Sequence, residues 1–180
     1  MKTNEIHETG IKEEKLQPEV RALLNDLMSG NTIKRKEARH WLESQGEDVL
    51  DDLHYLLRAK DHQLRWEAAK ALEDIASSKS IPVFIKLMHN HETEFRWMAA
   101  EGLRKIGKES IPAVLELVEN SGQSVHIRQG AHHVLNALYS EQEKLEQKNL
   151  MDALSNSNEL GETAPVWAEE ALERLSKRIV

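Results

Sequence analysis

The chain of 180 residues contains no cysteine. That absence excludes disulfide staples, zinc sites built on thiolates and a cysteine nucleophile together. Aromatic residues make up only 4%, so a packed core has to come mainly from Ala, Leu, Ile and Val, a palette that favours helices. Long apolar runs are missing as well. The opening stretch MKTNEIHETGIKEEK lacks the hydrophobic segment of a signal peptide, and a chain with 31% charged residues is too polar to suggest a membrane span. The net charge of −7 argues against broad binding to a phosphate backbone, which needs clustered Lys and Arg. These absences lead to the expectation of a cytoplasmic protein with neither a nucleic-acid nor a membrane partner; a monomer is expected, though nothing in the sequence dictates it.

What the sequence does contain is repetition. The block RWEAAKAL, from Arg65 to Leu72, returns as RWMAAEGL, from Arg96 to Leu103. Looser copies are RKEARHWL from Arg35, RQGAHHVL from Arg128 and PVWAEEAL from Pro165. The starts recur at intervals of about thirty residues, the last interval being longer, and a fixed period of this size marks a repeat architecture. In all five blocks the fourth residue is alanine (Ala38, Ala68, Ala99, Ala131, Ala168) and the eighth is leucine (Leu42, Leu72, Leu103, Leu135, Leu172).

Apolar residues within a block fall at helical spacing, as with Leu64, Ala68, Ala71, Leu72 and Ile75. Each block therefore predicts one helix, and the alanine predicts a close approach of another. A second helix series is predicted between the blocks. Pro18, Pro82 and Pro112 open three of its members, at the position where the fixed φ of proline suits a first turn. The expected fold is all-α: five antiparallel helix pairs forming an α-α superhelix over residues 16–180, with residues 1–15 as a charged tail or cap. Terminal units of such arrays are atypical, and the fifth is so here, with Pro165 in place of Arg and the loop SNSNELGETAP before it.

The blocks RWEAAKALEDI, RWMAAEGLRKIG and SIPAVLELV resemble HEAT repeats, in particular the short bacterial kind named after phycobilin lyases. The resemblance covers roughly residues 16–180. It implies a solenoid whose second helices line the concave, partner-binding surface. It also implies a protein-binding scaffold or adaptor, or alternatively a helper that binds a chromophore or modifies a partner protein. Fold analogy alone assigns no reaction.

Counting about 100° per residue round the second helices puts Trp66 and Trp97 opposite the apolar stripe. The residues one turn along are His40, Lys70, Glu101, His133 and Glu170, and two turns along come Glu43, Glu73, Arg104, Asn136 and Glu173. An aromatic pair rimmed by mixed charge is the composition of a binding hot spot. The expected partner-binding surface is accordingly Trp66, Lys70, Trp97, Glu101 and Arg104, flanked by His40 and His133. Trp41 shares a column with Ala71, Gly102, Val134 and Ala171 and is expected in the core. Arg35, Arg65, Arg96 and Arg128 form a ladder at the edge of the stripe, expected to tie loops of successive units together.

Signals of catalysis are weak. His89 and His91 sit in a joint without an evident third ligand, and His132 and His133 point about 100° apart on one helix. No HExxH occurs. Deoxyhypusine hydroxylase, also built of HEAT-like units, places His-Glu pairs at the start of its inner helices. The matching positions here read Trp66-Glu67, Trp97-Met98 and Gln129-Gly130. GLRKIGKE, from Gly102 to Glu109, has Glu109 where a phosphate-binding loop needs a hydroxyl, and it lies on a helix. No catalytic residue, metal ligand or cofactor is therefore expected.

Overall fold

The computed structural model describes residues 9–155 and 162–179. The loop SNSNELGETAP lies largely outside the described residues, as does the first half of the N-terminal segment. The described residues form helices and no strand, in five successive pairs that place the chain in the α-α solenoid class. None of the described helices is long and apolar enough to cross a membrane. The chain divides into two compact units, Met1–Ser80 and Ile81–Val180.

In the first unit the helices are α1 (Pro18–Ala22), α2 (Leu24–Leu27), α3 (Thr32–Gln45), α4 (Leu50–Leu56) and α5 (His62–Ile75). Helices α1 and α2, broken at Leu23, stand where one helix was expected, and a 3-10 turn (Gly46–Val49) leads into α4. The second helices α3 and α5 are regular and begin on side-chain caps: Asn31 accepts from the Ile33 amide, and Asp61 accepts from the Leu64 amide at 2.7 Å. α3 packs on α5, and α4 on α5. The segment before α1 joins this core, since Ile11 and Leu16 are buried and the Lys60 amide donates to the Thr9 carbonyl at 2.7 Å.

The second unit comprises α6 (Ile81–Leu87), α7 (Thr93–Ile106), α8 (Ile111–Ser121), α9 (Val125–Leu138), α10 (Glu141–Glu146), α11 (Lys148–Ser155) and α12 (Ala164–Ile179). α7 lies beside α9, as repetition demands. The fifth pair docks the other way round: α12 packs on α8, and α11 on α9. The column running from Trp97 to Gln129 therefore does not continue into Val166, nor His133 into Glu170. This reversal closes the array by covering α8 with the longest helix of the described chain.

The alanine column explains how closely the helices approach. Ala38, Ala68, Ala99, Ala131 and Ala168 are all buried, and the leucine column is buried in the first four repeats. Leu172, in the reversed last pair, is only half-buried. Gly102 marks one such close approach, because a Cβ built there would lie 2.5 Å from Phe84 Cζ. Trp41, expected in the core, is half-buried.

The arginine ladder is structural, but its main bonds run within a repeat. Arg65 Nη1 donates to the carbonyls of Ala59 and Lys60, Arg96 Nη1 to those of Asn90 and His91, and Arg128 Nη1 to those of Gly122 and Gln123. Each arginine thus satisfies carbonyls left over at the end of the first helix and in its joint. Arg35 also ties to the next repeat, its Nε donating to Glu67 Oε1 at 3.1 Å.

Candidate partner-binding face

The expected surface residues fall in both units, and the two sets have different surroundings. In the first unit His40 Nδ1 lies 2.6 Å from Glu43 Oε2, and Lys70 donates to Glu73 Oε1 at 2.7 Å. Trp66 is half-buried, with the Arg39 guanidinium 5.8 Å from its ring centre. Arg39 is itself held by Glu67 at 2.7 Å and by Glu43 at 3.1 Å. Glu67, only 1% exposed, receives Arg35, Arg39 and Gln63. A carboxylate this deeply buried needs several donors to replace its lost hydration.

In the second unit the fold gathers Trp97, Glu101, Arg104 and His133 on the adjoining surfaces of α7 and α9. Trp97 is 56% exposed, the most open indole of the described chain. The His133 ring lies 4.6 Å from it between centroids, tilted by 43°. On its other side His133 Nε2 is 2.5 Å from Glu101 Oε1, while Arg104 Nη2 reaches Glu101 Oε2 at 2.7 Å. Burial works against the Glu101 charge, yet the bonds from Arg104 and then His133 outweigh it and hold the carboxyl below the usual carboxylate range. Because an ionised carboxylate only accepts, His133 Nε2 carries the proton in this bond. The chain Arg104–Glu101–His133 thereby fixes the ring on which Trp97 leans.

Trp97 also forms one wall of an open groove of about 440 Å³, lined by Met88, Thr93, Arg96, Trp97, Ala100, His126, Gln129 and Gly130. Helical periodicity missed this groove. Its floor combines the end of α6 with the small residues Ala100 and Gly130, and the missing side chain at Gly130 is what admits the Met88 methyl. The signal in the sequence was Gly130 at the position where the second repeat has Glu67. A second hollow, of about 130 Å³, lies among α10, α11 and α12 beside Trp167. It is crossed by Arg174, which bonds Glu170 and the Glu146 carbonyl.

His91 is exposed beside Glu92 at 3.6 Å. His132 points away from His133 and is half-buried, and burial lowers its pKa, helped by His133 and Lys144. The GLRKIGKE segment ends α7 at Gly107, whose φ of 93° turns the chain out of the helix.

Comparison with known families agrees with the architecture. The family model for HEAT repeats matches residues 18–104 and 50–136. Together these spans cover more than half of the chain, which therefore belongs to the HEAT-repeat family. No curated protein matches it.

Proposed function

We propose that this HEAT-repeat chain is a non-catalytic protein-binding scaffold or adaptor, and that the α7 and α9 surface is its principal contact. One observation carries the reading: Trp97 stands 56% exposed at the wall of an apolar-floored groove, in a chain with only four tryptophans. Water-exposed indole beside a concave apolar surface is costly in a free protein and typical of residues that dominate binding energy. Trp97 needs little ordering on binding, because His133, Glu101 and Arg104 already hold its flank. Glu101, Arg104 and His133 form the rim. Trp66, Lys70 and His40 make a smaller facet in the first unit, already covered in part by Arg39.

The test compares affinity capture by the wild type and by a folded Trp97→Ala variant, read by mass spectrometry. A protein recovered by the wild type and lost from the variant supports the reading. Equal recovery assigns the indole to local packing and removes it.

A second reading is a helper of the phycobilin-lyase kind. It is favoured by the groove volume, which falls in the range of small-molecule sites, and by an indole face on which a planar ligand could stack. Visible absorbance and Trp fluorescence on adding a linear tetrapyrrole would discriminate. Quenching saturable at one equivalent and lost in Trp97→Ala would favour it, and no change would remove it.

A further inference from the structure

We propose that the Trp97 groove receives one large apolar side chain from an acidic segment of the partner, with carboxylates flanking that anchor. The inference rests on the protein-binding reading above and adds the chemistry of the partner.

The apolar half of the argument is the floor. Met88, Ala100 and Gly130 offer hydrocarbon and a thioether with no charged group among them, and Trp97 supplies a flat wall. Methionine adapts its shape to an incoming group, so a floor containing Met88 suits an anchor such as Leu, Met or Phe. A groove of about 440 Å³ has room for one such side chain and the backbone that brings it.

The acidic half is the sign of the charge around that floor. Among the groove residues the one formal charge is Arg96, and no carboxylate is present. Helix α9 carries no Asp or Glu at all; Arg128 is buried, His126 lines the groove and His133 lies against Trp97. On α7 the carboxylates are Glu94 and Glu101, against Arg96, Arg104 and Lys105. Of these, Glu101 and Arg104 are paired with each other, and Glu101 also bonds His133. The groove also opens toward the first turns of both helices, through Thr93 and His126, where the backbone dipole is positive. A groove lined by Arg96 and no carboxylate stands out in a chain of net charge −7. Electrostatic complementarity acts on partner choice and on association rate more than on raw affinity.

The experiment uses the full chain, immobilised, against a phage-displayed library of random peptides twelve residues long. Selected peptides are synthesised and titrated against three proteins: wild type, Trp97→Ala and Gln129→Glu. Gln129 is exposed on the groove wall, so the second variant adds a carboxylate there without removing a core contact. Circular dichroism and urea midpoints confirm that each variant is folded. The expected result is a set of peptides sharing one large apolar residue with Asp or Glu within three positions, weakened about tenfold or more by Trp97→Ala. The same peptides lose several-fold affinity in Gln129→Glu, and their wild-type binding weakens with added salt.

Peptides that depend on Trp97 but carry neutral or basic flanks, and that bind Gln129→Glu as well or better, would overturn the acidic-segment inference while leaving the protein-binding reading in place. Recovery of no Trp97-dependent peptide would overturn both. Saturable binding of a small apolar carboxylate, with no peptide selected, would also overturn the inference and move the groove to the small-ligand reading.

Discussion

At the residue scale, two glycines on the second helices separate packing from function. A Cβ at Gly102 meets the ring of Phe84, which is fully buried, and a buried ring cannot retreat. Overpacking of this kind costs roughly 1–3 kcal/mol, against about 1 kcal/mol gained from replacing glycine in a helix. Gly102→Ala is therefore expected to lower the urea midpoint. Gly130→Ala meets only the terminal methyl of Met88, which can swing, so its stability should stay near that of the wild type or exceed it. Equal losses in both variants would contradict this account of the floor. The sequence placed Trp66 and Trp97 in one column, and helical period sent both outward. It could not show that Arg39 lies across Trp66, because the cover comes from a long side chain on the preceding second helix. Nor could it show the groove, which depends on Gly130 and Met88 meeting from different helices.

Among the elements, the second helices were legible and the first ones were less so. Alanine and leucine columns fixed α3, α5, α7, α9 and α12, because burial of a regular stripe dictates that spacing. The proline-led series breaks at Leu23, and its last member at Gln147; short helices are held by local capping and tertiary contact more than by period. Ser140 and Glu143 illustrate this with a reciprocal capping box that starts α10. The Arg ladder is the element-scale device with the clearest energetic consequence. Arg128 is 4% exposed and donates to two carbonyls at 2.9 Å, while its Nε makes no hydrogen bond. Truncation leaves those carbonyls without their charged donor, a class of bond worth about 1.5–3 kcal/mol. Arg128→Ala should accordingly cost about 2 kcal/mol or more in urea unfolding, and an unchanged midpoint would show the ladder to be dispensable. Glu67→Ala removes the buried carboxylate that Arg35 and Arg39 share, leaving Arg39 with Glu43 and Arg35 with the Ser29 carbonyl, and should cost about 1.5–3 kcal/mol.

For the whole molecule, pH acts on stability through two half-buried histidines. Burial lowers the pKa of His54, opposed by Asp51, and that of His132, and the ordinary value for both is 6.5. Below that value the unfolded chain binds protons that the folded chain still refuses, so stability is intact above pH 6.5 and falls as the pH drops beneath it. Glu143 adds a loss further down: the Ser140 amide, Lys108 and the Ser140 hydroxyl hold its pKa at about 2, so its contribution is present above 4.5 and disappears toward that value. Urea midpoints at pH 8 and pH 5.5 should differ in the direction stated, and a His54→Gln, His132→Gln variant should flatten the difference. At this scale the sequence disclosed the class of fold almost completely, since a repeated stripe can be buried only against its neighbours. The reversed docking of the last pair was not legible, because it depends on which face of α8 remained open to receive α12.

The central claim is that the Trp97 groove is where this protein meets its partner, and site-specific photocrosslinking in the cells that make it tests this most directly. A photoreactive residue placed at Gln129, on the groove wall, is compared with one at Glu116, exposed on α8. The expected result is a discrete adduct with one protein from position 129, absent from position 116 and lost when Trp97→Ala is added. No adduct at 129, or the same adducts from both positions, would contradict the account.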